Sequence, residues 1–102
     1  MQVKIFKAND HNDLKKRVQE FCNSGMYIKN VKFEDFGDNG IKLLVYTDEK
    51  PNLKNQEVIT LKKTIRGTIN FLNKELNNNI SCVDTIPFNR DGLIAIVIKN
   101  ME

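Results

Sequence analysis

Residues 29–47 and 81–99 read as one hairpin plan used twice. At an offset of 52, KNVKFEDFGDNGIKLLVYT and SCVDTIPFNRDGLIAIVIK share Val31 with Val83, Phe36 with Phe88, Gly40 with Gly92 and Val45 with Val97. Apolar residues also face each other at Ile41 with Leu93, Leu44 with Ile96 and Tyr46 with Ile98. Each copy follows a segment with helical periodicity. Two half-units that each leave an apolar face exposed are expected to close on one another. The chain of 102 residues is thus expected to be a single domain of two similar halves, about 1–49 and 53–102, large enough for a modest core.

The first half opens with Val3 and Ile5, and with Phe6 as a further inward candidate, against Lys4 and Lys7, as in a half-buried strand. Asn9-Asp10-His11-Asn12-Asp13 supplies side-chain acceptors for the free amides of a starting helix. Leu14, Val18, Phe21 and Cys22 then fall on one helical face, and Ser24-Gly25 ends it. Strands about Tyr27 to Phe36 and Ile41 to Thr47 follow, reversed by Gly37-Asp38-Asn39-Gly40. Asp48 to Asn52, with Pro51 inside it, reads as the link between halves.

In the second half Leu61, Ile65, Ile69, Leu72 and Leu76 give a helix over at least Thr64 to Leu76. Glu57 to Leu61 reads equally as its first turns or as a strand repeating the opening one. Asn77 to Asn79 closes the helix. Strands near Ile80 to Ile86 and Leu93 to Lys99 follow, turned at Asn89-Arg90-Asp91-Gly92. Pro87 places the first of these at an edge or at its end. The last is apolar on both faces and so is expected to be central. The fold class is α+β: two tandem β-α-β-β-like units forming an antiparallel sheet, or two sheets meeting, with two helices packed on one face.

Catalytic chemistry finds little to work with. His11 is the only histidine, and no nucleophile is positioned beside it by sequence. Asp10, His11 and Asp13 have metal-ligand chemistry, but such residues also serve routinely as helix caps. Glu34-Asp35 and Asp48-Glu49 point to opposite faces of a strand, so neither pair converges. No glycine-rich phosphate loop exists. The expectation is a non-enzyme that needs no cofactor or metal. Cys22 and Cys82 lack metal-ligand spacing and read as small core residues of a reduced, cytoplasmic protein. MQVKIFKAND reads as a strand, not a signal, and no run approaches the roughly 18 apolar residues that span a membrane.

The composition points to binding. Sixteen bases against 13 acids leave a net +3, a weak preference for anionic partners. Aligning the helices by their apolar stripes needs an offset of 51, which sets Lys15 level with Arg66. Lys15, Lys16 and Arg17 would then pair with Lys62, Lys63 and Arg66 as a positive surface for nucleic-acid phosphates or a protein partner. The same lysines on a solvated helix face would serve solubility alone. The turns at Asp38 and Asn39 and at Arg90 and Asp91 are further contact candidates.

MQVKIFKAND, the Leu14-Val18-Phe21 helix, IKNVKF and IKLLVYTDE resemble short sporulation-associated and phage-encoded proteins of Firmicutes over the first half. That resemblance implies a small non-catalytic protein with no catalytic residue to carry over. An abundance of Lys over Arg, with 14 asparagines, suggests an AT-rich genome. The leading expectation is a phage- or mobile-element-type inhibitor of a host defence protein that acts by protein–protein contact, with a homodimer among the assemblies the apolar last strand allows. The alternatives are a basic nucleic-acid-binding regulator and a sponge for a small anionic nucleotide.

Overall fold

The computed structural model describes residues 2–34, 40–48, 55–75 and 79–101. Its elements run β1 (Gln2–Ala8), α1 (His11–Asn23), β2 (Tyr27–Phe33), β3 (Ile41–Asp48), β4 (Gln56–Thr64), α2 (Ile65–Glu75), β5 (Ile80–Asn89) and β6 (Gly92–Asn100). The fold is α+β, with the β-α-β-β order repeated. The strands make two antiparallel three-stranded sheets, ordered β1-β3-β2 and β4-β6-β5. In each half the last strand is central, as expected for β6, and Pro87 lies on the edge strand β5 beside a register shift.

The repeat has a steric mark. Gly40 and Gly92 stand at the start of the central strands, and neither has room for a side chain. A Cβ on Gly40, which has a φ of +109°, would meet the Ala8 carbonyl, and one on Gly92 would meet the Phe88 ring.

The two sheets form a wedge. Their edges meet where β2 lies along β5, and α1 fills the open side, packed on both β1 and β4. Leu14, Val18 and Cys22 of α1 join Phe6, Ala8, Val31, Phe33, Leu43 and Val45 of the first sheet in one core. Val58, Cys82, Ile94, Ile96 and Ile98 of the second sheet complete it. Strand alternation sends Leu61, Ala95 and Val97 to the far side of the second sheet, where they are buried outside that core. There α2 covers them. Lys63 lies over the α2 ring of Phe71 at 5.7 Å, and Lys99 reaches Glu75 at 2.9 Å. The layers therefore run first sheet, α1, second sheet, α2. Of the two arrangements expected, two sheets meeting is the one formed; the helices do not share one face, because the second sheet is buried on both sides and α2 takes the side away from the common core.

One open choice is settled and two sequence expectations change. Residues 57–61 belong to strand β4, not to a helix. Val58 and Leu61 match a helical stripe only because they occupy opposite faces of a strand covered on both sides. In β1 the buried side chains are Phe6 and Ala8, while Val3 and Ile5 are 55% and 56% exposed. The reason is that α1 covers one face of the first sheet and nothing among the described residues covers the other. The helix offset also moves. Asp10 caps α1 by accepting the Asp13 N–H, and Thr64 caps α2 by accepting the Gly67 N–H. Aligned by their caps the helices are 54 residues apart, so Leu14 matches Thr68 and both are fully buried. Lys15 is then level with Ile69, not with Arg66.

Side-chain amides hold the wedge closed where backbone pairing stops. Gln19 of α1 splints the outer edge of β4: its Oε1 accepts the Val58 N–H and its Nε2 donates to the Gln56 carbonyl, both at 2.8 Å. Thr60 adds a hydroxyl donated to the His11 carbonyl. The buried Gln56 side chain does the same for β2, accepting the Ile28 N–H at 2.8 Å and donating to its carbonyl at 3.0 Å. Across the seam the Phe33 N–H donates to Asp84 Oδ2 at 2.7 Å, and Ser81 donates to Ile28.

Candidate functional site

Edge strands present the most reactive backbone of a sheet. The outer edge of β4 is covered by Gln19 and α1. The corresponding edge of β1, which pairs only with β3, carries no such cover among the described residues. A shallow groove of about 450 Å³ runs between β1 and α1, lined by Lys4, Ile5, Phe6, Lys7, Arg17, Glu20, Phe21 and Ser24. A second hollow of about 350 Å³ adjoins it on the far side of β1 and adds Glu34 and Lys42. The larger groove has an aromatic pair at its base, Phe6 and Phe21, with ring centres 5.4 Å apart in an edge-to-face arrangement. Lys4 Nζ lies 5.2 Å and 4.8 Å from those ring centres. This contact holds the ammonium at the mouth of the groove.

Arg17 is the one sequence-predicted residue that lines this groove. Its Nε sits 3.2 Å from Asp13 Oδ2 on the exposed side of α1. The Asn9 backbone N–H and the Arg17 side chain hold the Asp13 carboxyl below its ordinary range. Lys15 and Lys16 are exposed on the same helix.

The other basic candidates do not form a matching row. Lys62 and Lys63 end strand β4 and point to opposite faces of the second sheet. Lys62 lies over Phe88 at 4.6 Å on the α1 side, whereas Lys63 lies over Phe71 on the α2 side. Arg66 is exposed in the first turn of α2. At the second hairpin, Arg90 and Asp91 form an exposed turn whose Asp91 carbonyl accepts the Ile65 N–H. That turn is thereby tied to the start of α2. Asp38 and Asn39 lie outside the described residues.

Sequence reasoning missed Lys4, Phe6, Lys7, Glu20 and Lys42 as a cluster. The signal was Phe6, the largest apolar side chain of β1. Once it is turned inward, Lys4 must lie on the α1 side and Val3, Ile5 and Lys7 on the other.

Among the described residues no group of three or more His, Cys, Asp or Glu side chains is placed to hold a metal ion. His11 Nδ1 is buried with no hydrogen-bond partner. Burial pushes the Cys22 thiol up to about 11 and the Cys82 thiol up to about 12. Neither is poised as a nucleophile near neutral pH. No helix among the described residues is long and apolar enough to cross a membrane. Comparison with protein families, curated proteins and solved structures found no match to this chain.

Proposed function

We propose that this chain is a non-catalytic binding protein that occludes a larger protein by capturing an extended acidic segment along β1. The observation that carries this reading is the uncovered β1 edge beside a groove with Lys4 and Arg17 above an aromatic floor, and with Lys7 on the other face of the same strand. A strand added to an open edge gains main-chain hydrogen bonds, and alternate side chains enter the flanking grooves. Four bases, Lys4, Lys7, Arg17 and Lys42, against Glu20 and Glu34 favour acidic side chains at those places. An inhibitor of the phage or mobile-element type, directed at a host defence protein, would work in this way with no reacting group. The order of β1 and its groove prefers a strand to a nucleic acid, because Lys62 and Lys63 are each committed to a ring on a different face.

A labelled peptide alternating Glu with Val tests it by fluorescence anisotropy and hydrogen exchange. Binding should protect the amides of β1, and Lys4→Glu combined with Arg17→Glu should weaken it at least about tenfold, a loss of about 1.4 kcal/mol. A peptide that fails to bind while an oligonucleotide binds with steep salt dependence would replace this reading with the nucleic-acid one.

A further inference from the structure

The backbone of β1 fixes which of its groups a captured strand can reach. The Glu34 N–H donates to the Lys42 carbonyl at 3.0 Å, so Lys42 turns its backbone groups toward the β2 side. Alternation along β3 then turns Ile41, Leu43 and Val45 toward β1, where they pair with Ala8, Phe6 and Lys4. The amides and carbonyls of Val3, Ile5 and Lys7 therefore face away from β3, along the uncovered edge. The repeat agrees. Val58 stands opposite Ile98 as Val3 stands opposite Tyr46, and the Val58 N–H is the one that Gln19 takes on the outer edge of β4.

Side chains along the same strand set the order of what fits beside it. Lys4 lies over the Phe6 and Phe21 rings, on the α1 side. Lys7, three residues on, is on the opposite face, in the hollow that Ile5, Glu34 and Lys42 also line. Between them Ile5 is more than half exposed on the bare face, and Phe6 forms the groove floor with Phe21. The ion pairs among the described residues, Arg17 with Asp13 and Lys99 with Glu75, leave both lysines out. We infer that β1 selects its guest by spacing: two acids three residues apart, one on each face of the added strand, with two apolar residues between them. One acid meets Lys4 and the other Lys7, and the apolar pair packs against Ile5 and Phe6. That order reads the same in both directions, so it holds for a parallel or an antiparallel guest. A strand of alternating acids satisfies one lysine at a time, because all its acids share a face. The inference rests on strand capture at β1 and adds the sequence that the site prefers.

Two labelled peptides of one composition, Val-Glu-Val-Val-Glu-Val and Val-Glu-Val-Glu-Val-Val, test it by fluorescence anisotropy on the full chain. Length, charge and apolar content are equal, so only the spacing of the acids differs. The first should bind about threefold or more tightly at low salt, the effect of one additional exposed ion pair. The preference should shrink as salt rises. With the first peptide bound, hydrogen exchange should slow at the amides of Val3, Ile5 and Lys7. Lys7 is exposed, and Lys7→Gln should bring the two peptides to equal affinity. Equal binding of the two peptides by the wild-type chain overturns the spacing rule and leaves strand capture standing. Failure of both to bind overturns the rule together with strand capture. A preference that survives Lys7→Gln overturns the rule as well, since the spacing is then read by something other than this pair of lysines.

Discussion

The helices α1 and α2 begin with the same kind of cap and end in opposite circumstances. In α1 the ridge Leu14, Val18 and Cys22 is buried between two sheets. In α2 only Thr68 is fully buried, and Ile65 and Ile69 face outward. Fold position, not helix sequence, makes the difference: α1 has a sheet on either side of it and α2 has one. A duplicated unit therefore does not give duplicated environments. The copy at the end of a stack keeps an unsatisfied face unless something else covers it.

The largest test of this contrast is truncation along the two ridges. Leu14→Ala should lower unfolding free energy by about 2–5 kcal/mol, as expected for a leucine removed from a closed core. Ile69→Ala should change it by no more than about 0.5 kcal/mol. Urea denaturation of both variants, at concentrations where the chain is monomeric, checks this. Equal losses would break the comparison.

A smaller effect separates Gln19 from Asn73, which stand level in the two helices. Gln19→Ala leaves the Val58 N–H and the Gln56 carbonyl without their partner, at a cost of about 1–3 kcal/mol. Asn73→Ala is exposed and should fall within about 0.5 kcal/mol of the wild type. Hydrogen exchange at Val58 should accelerate only in the first variant.

A third contrast lies in pH, through the thiols. Cys22 and Cys82 face the same sealed interior, and burial raises both above the ordinary thiol value of 9.0. A raised folded value means the native state holds the proton longer than the unfolded one. Their contribution to stability is therefore complete below about pH 9, and declines as pH rises through about 11 and then 12. Denaturation midpoints at pH 8 and pH 10 should show the fall. Alkylation at pH 8 should be slow in the folded protein and rapid in urea.

Much of this architecture was legible in the residues. The hairpin repeat, the central place of β6, the edge position of Pro87 and the α+β class follow from apolar spacing and turn residues. What was hidden shares one cause. Spacing reveals how many faces of an element are apolar but not what lies against them. Val58 and Leu61 looked helical because two different layers bury them. Val3 and Ile5 looked inward because nothing in the sequence says that the first sheet has one bare side. The apolar stripe of α2 misled for the same reason, and only the caps fixed the register of the two helices. The β1 groove was invisible until Phe6 was turned inward, and Lys62 and Lys63 could not be separated onto two faces until β4 was known to be a strand.

Gln56, Ser81 and Asp84 join the two sheets by side chains where a shared backbone ladder would have fused them. Main-chain pairing is nearly blind to residue identity, but this joint is written in three codons. Its stiffness and angle can therefore drift by single substitutions while each sheet keeps its own pairing. The posture of one half against the other is in that sense a heritable quantity, adjustable separately from the fold that carries it.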